Sequence, residues 1–343
     1  MTVAPGIGGT WKVVMARLAV RLDPIPQLST SDSISLAKLA EQRGYETVWV
    51  PEGMGQDAIT QITAFATNTA RVRLGTGILP VFYRTPTLTA MTAAGLDMIS
   101  DHRFILGLGV GHRGSVEGVH GIPFRRPLAN LRETVAIVRG LLKGERVAHQ
   151  GRVFDLPRGT LGYSSEFSVP IYIAALGPKM IELAGEIADG VLLNWAVPSY
   201  LNKAMEHLEA GAIRAGRKVE DIDVACYVRV ASTGDVESVR APLRRQILRY
   251  CTMEYYLNFF AQTGFRDEAQ AIGGYLKEGD RDKAAAAVTD RMQELLAVFG
   301  SPEYCRAEIE KRRALGIKLP VVAPFATGGV LNSYRATIET FSG

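Results

Sequence analysis

The sequence predicts an α/β fold, a closed (β/α)8 barrel of the TIM type with insertions. Short apolar segments alternate with amphipathic helical segments along the 343 residues, and this rhythm gives eight strands. The strands are rich in Val, Ile and Leu on both faces, as parallel strands covered by helices are. A closed barrel explains eight strands better than an open doubly wound sheet, which stays an alternative.

The eight predicted strands follow one another at regular intervals. They are RLAVRLD (17–23), TVWVPE (47–52), VRLGTGILP (72–80), FILGLGVG (104–111), PIYIAAL (170–176), VLLN (191–194), DIDVACYVRVAST (221–233) and LPVVAPFA (319–326). Apolar residues at helical spacing fill the intervals, as in residues 33–45, where Ser31 and Asp32 are expected to cap the first helix. A last helix is expected near residues 331–341.

Two tracts interrupt the alternation. Residues 144–169 predict a hairpin-like insertion before the fifth strand, and residues 235–316 predict several helices near the seventh, including helical runs over 282–300 and 301–316. The stretch EYYLNFF (254–260) has helical spacing and is interpreted as core, with a pocket lining or a dimer interface as alternatives. No linker composition marks a boundary, so residues 1–343 are expected to form a single domain.

Composition and charge exclude several classes of protein. The formal charge of +4 is too small to indicate nucleic acid binding. No segment approaches the roughly 20 apolar residues of a membrane span. The three cysteines have no CxxC spacing, which predicts free thiols and a cytoplasmic location. The histidines show no metal-ligand spacing, so no metal site is expected.

A barrel places its chemistry at the carboxyl ends of its strands, where one glycine-rich stretch stands out. Gly109, Gly111 and Gly114 in GLGVGHRG spell GxGxxG. A dinucleotide fingerprint must open a helix, and the SVEGVHGIPFRRP that follows shows no helical period, so this interpretation is rejected. Together with Gly107, these glycines predict either the close approach of a flat group or packing of the barrel interior.

The turn after the fifth strand is a second candidate. Gly177 lets the backbone leave the strand sharply, and Pro178 suits the first helical position because its missing N–H would have no partner there. The N–H groups of the first turn, the helix dipole and the Lys179 cation together favour an anion such as phosphate. An ordinary strand-to-helix turn with a surface lysine is the alternative.

The stretch IAALGPKMIELAGEIADGVLLN (173–194) resembles the bacterial luciferase-like family, and specifically its coenzyme F420-dependent oxidoreductases of the methylenetetrahydromethanopterin reductase type. GYETVWVPE, VRLGTGILPVFYRTP and MISDHRFILGLGVGH match the second, third and fourth strands of that family in order and spacing. The resemblance runs from about residue 17 to about residue 196 and is architectural over 235–316. It implies a barrel with insertions, a homodimer, and coenzyme F420 as cofactor, with FMN as the alternative.

The resemblance also implies which residues bind the cofactor. A set after the fifth strand falls where the family binds the cofactor phosphate: Gly177, Pro178, Lys179 and Met180. A set after the third strand falls at a bulge that backs the ring: Thr76, Gly77 and Ile78, with a cis peptide expected between Gly77 and Ile78. The polar edge of the ring falls at Gly109, Gly111 and His112, and the set is completed by Glu52, Ala175 and Asn194.

The implied chemistry is hydride transfer between a bound deazaflavin and a small organic substrate. His112 is the first candidate to move a proton, since its ordinary pKa lies near neutrality, and Glu52 is the second. A purely structural contact is the alternative for each. Gly53 stands where the family often has a histidine. Two other functions stay open: an FMN-dependent monooxygenase that uses reduced flavin and O2, and a non-catalytic flavin or deazaflavin binder.

Overall fold

Eight parallel strands close into a barrel in the computed structural model of the chain, which describes residues 2–4, 12–14, 16–53, 57–162 and 167–341. The barrel strands are β1 (Ala19–Arg21), β2 (Thr47–Val50), β3 (Arg73–Thr76), β4 (Phe104–Gly109), β5 (Ile171–Ala174), β6 (Gly190–Asn194), β7 (Asp223–Ser232) and β8 (Leu319–Pro324). Each pairs with the next, and β8 pairs with β1. The closed barrel is therefore confirmed, and the open sheet is wrong.

Helices cover the outside of the barrel. The first begins earlier than expected, because Ser29 is its cap: the Ser29 hydroxyl accepts from the N–H of Asp32, and the Asp32 carboxylate accepts from the N–H of Ser29. The helices are α1 (Thr30–Gln42), α2 (Ala58–Ala66), α3 (Pro86–Ile99), α4 (Arg113–Gly118), α5 (Pro127–Leu142), α6 (Pro178–Ile187), α7 (Pro198–Arg214), α8 (Glu237–Cys251), α9 (Glu254–Gln262), α10 (Arg266–Glu278), α11 (Arg281–Ala286), α12 (Asp290–Leu296), α13 (Pro302–Arg313) and α14 (Val330–Thr340), with a 3₁₀ turn at Val219–Asp221.

The two interrupting tracts have structures of their own. Val147–Gln150 pairs antiparallel with Asp155–Gly159, which forms a hairpin before β5. Helices α8–α12 follow β7 and pack around a second apolar core. The expected helical run over 282–300 is wrong at its end, because Ala297–Gly300 is a strand parallel to β7. All four of its residues are buried, and a short, fully apolar run such as AVFG fits a buried strand as well as a helix.

Three further short strands lie outside the regular alternation. Leu79–Pro80 pairs with β4, and Thr2–Ala4 pairs antiparallel with Lys12–Val14. Within the described ranges, no helix has both the length and the apolar character needed to cross a membrane.

The barrel interior is apolar along most of its length and becomes polar at the carboxyl end. The interior cluster consists of Ala19, Trp49, Ile105, Tyr172, Leu192, Ala225, Tyr227, Leu319 and Val321. Side chains two residues apart on a strand share a face. One step beyond this cluster, the inward faces of β1, β6 and β7 carry Arg21, Asn194 and Arg229. The mouth at the carboxyl ends is therefore where polar side chains meet.

Candidate active site

A bulge after β3 forms the first part of the site. The peptide bond between Gly77 and Ile78 is cis, as the resemblance predicts. Thr76 ties the bulge to β4, since its Oγ1 donates to the carbonyl oxygen of Gly107 and accepts from the N–H of Gly107, both at 2.8 Å. From β7, the Tyr227 hydroxyl donates to the carbonyl oxygen of Gly77 at 2.8 Å. These buried hydrogen bonds fix the position of the bulge in the barrel mouth.

The glycines of β4 make room for this bulge. A Cβ at Gly107 would lie 1.9 Å from a carbonyl oxygen of the bulge, and one at Gly109 would lie 2.8 Å from Cδ1 of Ile78. Their close neighbours are parts of the chain itself, which favours the packing interpretation for these two positions. Gly111 differs, because its φ of +67° lies in the left-handed region that glycine tolerates. With Ala174 beside Gly109, small residues line the half of the mouth formed by β3–β5.

The N-terminus of α6 forms the second part of the site. Gly177 is its N-cap residue and Pro178 its first helical residue, as predicted. Among the described residues no side chain caps this end, as is also true of α5 and α7, whereas α1, α2 and α3 are capped. The Tyr255 hydroxyl lies beside this turn, 2.9 Å from the position that a Cβ on Gly177 would take. Lys179 is exposed to solvent. Because N–H groups of a first helical turn lack helical acceptors, this end can bind an anion.

The third part of the site is a cationic cluster at the ends of β1, β6 and β7. Arg21 is ion-paired with Asp23, with 2.8 Å between Nε and Oδ1. Arg229 is only 2% exposed and donates to Oδ1 of Asn194. Its Cζ lies 3.8 Å from the ring centroid of Trp195, a close cation–π contact. Among the residues that the structure describes, no carboxylate lies within ion-pair distance of Arg229. A buried cation is therefore held by neutral groups.

Helices α8 and α9 of the second insertion lie over this cluster. The Tyr250 hydroxyl lies 3.4 Å from Arg229, from which it accepts a hydrogen bond, and the Tyr256 hydroxyl accepts from Asn194 Nδ2 at 2.9 Å. The ring centroid of His112 lies 5.6 Å from that of Tyr256 and 6.4 Å from that of Tyr250. These contacts connect the end of β4, which carries His112, with the cationic cluster across the mouth.

The two candidate proton carriers have opposite pKa shifts. Burial lowers the pKa of His112 and the Arg249 cation lowers it further, so the neutral imidazole predominates at neutral pH. Burial raises the pKa of Glu52, although the N–H of Ala58 donates to its carboxylate at 3.1 Å. Glu52 lies at the end of β2 against α2, whereas His112 precedes α4. A neutral imidazole can accept a proton, and a carboxyl with a raised pKa can donate one.

The predicted site residues all lie at or just beyond the carboxyl ends of the strands, and their contacts with a cofactor stay predictions. Ala175 is buried and Met180 packs against the main core, so both also support the fold. The residues that sequence reasoning missed belong to the cationic cluster and its cover: Arg21, Tyr227, Arg229 and Tyr250. The alternation of Ala225, Tyr227 and Arg229 on the inward face of β7 is the signal that could have identified two of them.

One expectation about the glycine-rich stretch is wrong. A six-residue helix, α4, begins at Arg113 directly after GLGVGH, although the sequence shows no helical period there. Its His112 N-cap makes no side-chain hydrogen bond to it. The rejection of a dinucleotide fold rests on the closed barrel instead, since that fingerprint belongs to an open doubly wound sheet.

Known proteins are similar to this chain in sequence and in fold. A 5,10-methylenetetrahydromethanopterin reductase from Methanolobus tindarius is 34% identical over 285 residues, which cover 82% of this chain and 86% of that protein. The solved structure of a coenzyme F420-dependent tetrahydromethanopterin reductase from Methanopyrus kandleri has a TM-score of 0.80 at 25% identity, covering 95% of this chain and 97% of that one. An F420-dependent secondary alcohol dehydrogenase in complex with an F420-acetone adduct shares the fold, with a TM-score of 0.75 at 20% identity over 96% and 100% of the two chains.

Family membership follows from the extent of the match. Residues 14–319 match the family described as luciferase-like monooxygenase, which is most of the chain. The stretches that carry the resemblance lie within this range, and the closed barrel is the fold that the resemblance implies. This chain belongs to the luciferase-like monooxygenase family.

Proposed function

We propose that this chain is a coenzyme F420-dependent oxidoreductase that transfers a hydride between the deazaflavin and a small organic substrate. A similar solved structure is F420-dependent by name, and the relative from Methanolobus tindarius is a reductase by name. When bound, the deazaflavin supplies the hydride chemistry. The observation that carries the proposal is the uncapped N-terminus of α6 next to a half-mouth lined by small residues.

The residues of this half fit a flat group that carries a phosphate. The N–H groups of the first turn of α6 can donate to an anion, and the exposed Lys179 adds a cation beside them. Ile78, held by the bulge that Gly109 makes room for, offers an apolar surface to one face of a ring. In this proposal the chain binds and orients the cofactor through these groups.

His112 and Glu52 are the residues that move a proton in this proposal. His112 is neutral at physiological pH because burial and Arg249 lower its pKa, so it accepts a proton from a substrate hydroxyl or returns one to a carbonyl oxygen. Glu52 acts second, since its raised pKa brings it closer to the range in which a carboxyl exchanges protons.

Equilibrium binding of oxidised F420 and of FMN to the purified protein tests the cofactor assignment. We expect micromolar or tighter binding of F420, weaker binding of FMN, and a loss of tenfold or more in F420 affinity in the double variant Pro178→Ala, Lys179→Ala, because an ion pair and a pre-formed helix start are removed. Lys203→Ala on the exposed face of α7 is the matched control and should bind F420 as the wild type does.

The other outcomes identify the alternatives. A clear preference for FMN would move the protein to the monooxygenases of the same family. Tight F420 binding with no turnover of any alcohol, aldehyde or ketone tried would favour a non-catalytic carrier, the alternative that Gly53 raises. Binding of neither cofactor would refute the phosphate role of Gly177 and Lys179.

We also propose that the protein is a homodimer formed through α3. Four apolar side chains on this helix are 44–53% exposed. Intervals of three and seven residues, about one and two helical turns, place them along one face of the helix: Leu88, Met91, Met98 and Ile99. Gly95 lies in the gap of the stripe with no atom within 4 Å of an added Cβ, which leaves room for a partner helix. Light scattering should give a dimer mass for the wild type and a monomer mass for the double variant Met91→Lys, Met98→Lys. A double variant that is still a dimer would show that this face of α3 is not the interface.

A cytoplasmic location is proposed from the cysteines. Cys226, Cys251 and Cys305 are buried and form no disulfide, and burial raises the pKa of each thiol, which makes all three unreactive. Free thiols are typical of reducing compartments. Fractionation of producing cells should recover the activity in the soluble intracellular fraction. Activity recovered outside that fraction would contradict this proposal.

A further inference from the structure

The mouth of the barrel has two halves of different character. The half formed by β3–β5 carries small residues and the predicted cofactor positions. The opposite half, formed by β6, β7 and β1, carries Asn194, Arg229 and Arg21. Asp23 pairs with Arg21 and acts on Arg229 only through space, which leaves Arg229 without an ion-pair partner among the described residues. The half that faces the predicted cofactor is therefore positive.

An uncompensated buried guanidinium is costly, because the cation has left water without gaining a carboxylate. Arg229 is 2% exposed, and its contacts are the amide oxygen of Asn194, the hydroxyl of Tyr250 and the ring of Trp195. Trp195 Nε1 is itself buried without a hydrogen-bond partner in the described part of the chain. Burying Arg229 without a carboxylate adds little to the stability of the fold. This points to a role for Arg229 in binding an anion.

We propose that Arg229 binds a carboxylate of the substrate, so that the substrate of this enzyme is a small organic acid. The proposal rests on the proposed function, since it assigns the two halves of the mouth to cofactor and substrate. A guanidinium offers paired N–H donors that match a carboxylate, and Asn194 occupies only Nη1. The 3.4 Å bond from Nη2 to Tyr250 is long, so it is the bond that an incoming oxygen replaces.

Tyr250 lies beside Arg229 and provides a signal for an anion bound there. Burial by itself would raise the pKa of Tyr250, but Arg229, Arg21 and Arg249 outweigh it and lower the pKa to about 8. Asp23, Tyr256 and His112 are the other titratable groups facing the phenol. Of the three arginines, Arg229 lowers the pKa of Tyr250 most. A carboxylate bound to Arg229 would cancel this effect, so the pKa of the phenol should return toward its ordinary value near 10.

Ultraviolet difference titration of the purified protein without cofactor tests the proposal, with sodium acetate as the probe at constant ionic strength. Tyrosinate absorbance should show a step for one tyrosine near pH 8 that is absent in Tyr250→Phe. Acetate should raise the midpoint by about one pH unit in a saturable manner. In Arg229→Gln the midpoint should already be high, and acetate should have no effect. Arg245 is exposed and lies on α8 with Tyr250, so Arg245→Gln is the control and should behave as the wild type.

Each other result would overturn the proposal. No acetate effect on the wild type, or an equal effect in Arg229→Gln, would show that Arg229 holds no carboxylate. If Arg229→Gln does not fold, Arg229→Lys is the second variant, because it keeps the positive charge but not the paired N–H donors, and an acetate effect of the same size and affinity as in the wild type would overturn the proposal. F420 carries carboxylates of its own, so F420 binding is measured as well, and a tenfold or greater loss of F420 affinity in Arg229→Gln would assign the carboxylate to the cofactor. Because the acetate titration contains no F420, its result is independent of the cofactor assignment.

Discussion

Replacement of Gly77 by alanine tests whether the bulge is fixed by packing. A Cβ at this position would lie 1.8 Å from the hydroxyl oxygen of Tyr227 and 3.1 Å from its Cζ, so the phenol must move and lose its 2.8 Å hydrogen bond to the Gly77 carbonyl. Overpacking of a core costs about 1–3 kcal/mol, and a buried acceptor left unpaired costs about 1–3 kcal/mol. We therefore expect Gly77→Ala to lower the free energy of unfolding by about 2–6 kcal/mol.

Urea denaturation followed by circular dichroism measures this loss. Tyr227→Phe removes the clashing oxygen, so the double variant should lose less than the sum of the two single losses, with partial recovery because the 3.1 Å contact to Cζ remains. Gly274→Ala is the matched control: this exposed glycine of α10 has no atom within 4 Å of an added Cβ, and the change should gain about 0.5–1 kcal/mol. A Gly77→Ala protein as stable as the wild type, or two losses that simply add, would refute the packing argument.

Three further predictions follow from the geometry. Gly185→Ala would place a Cβ 2.3 Å from a backbone oxygen of α7, which cannot rotate away, so thermal denaturation should show a loss of about 3 kcal/mol, and an unchanged midpoint would contradict this. Burial would raise the pKa of Asp223, but hydrogen bonds from Arg17 and Tyr172 outweigh burial and lower this pKa. The stability that the ionised Asp223 contributes to the fold is therefore complete above about pH 4 and is lost as the pH falls below it. Urea midpoints should accordingly depend less on pH between about 3 and 5 in Asp223→Asn than in the wild type. Burial and the Arg249 cation lower the pKa of His112 from its ordinary value of about 6.5, so turnover should fall only on the acid side of that value. This decline should be absent from the residual activity of His112→Gln, and an identical pH profile would exclude His112 as the base.

The sequence predicts the parts of the fold that are determined locally. All eight barrel strands appear where apolar runs lie between helical segments, and the turn at Gly177 begins a helix as its proline indicates. The errors also have local causes. The AVFG segment at 297–300 and helix α4 are too short for periodicity to distinguish strand, helix and loop. The expectation of a single domain stays a prediction.

The aromatic stretch of α9 shows why one residue type supports two interpretations at once. Phe259 and Phe260 are buried in the core of the second insertion, as the sequence predicts from their spacing. Tyr256 is buried as well, yet its hydroxyl accepts from Asn194, and Tyr255 is 55% exposed with its hydroxyl beside Gly177. The alternation of core and site along one short helix depends on where α9 lies over the barrel, which periodicity does not specify.

The alternation on β7 can place Arg229 on an inward face, but the cationic cluster as a whole could not be predicted, because its members are brought together only by barrel closure. Arg21 and Arg229 lie far apart in the sequence and meet because β8 pairs with both β1 and β7. Each alone is an ordinary arginine near a strand end, and a surface position would be the usual expectation. Burial without a carboxylate is what distinguishes Arg229, and this is a property of the assembled mouth. The predicted cofactor positions belong to single turns that a sequence pattern can specify, whereas the proposed substrate contact at Arg229 depends on an insertion, three strands and the closure between them.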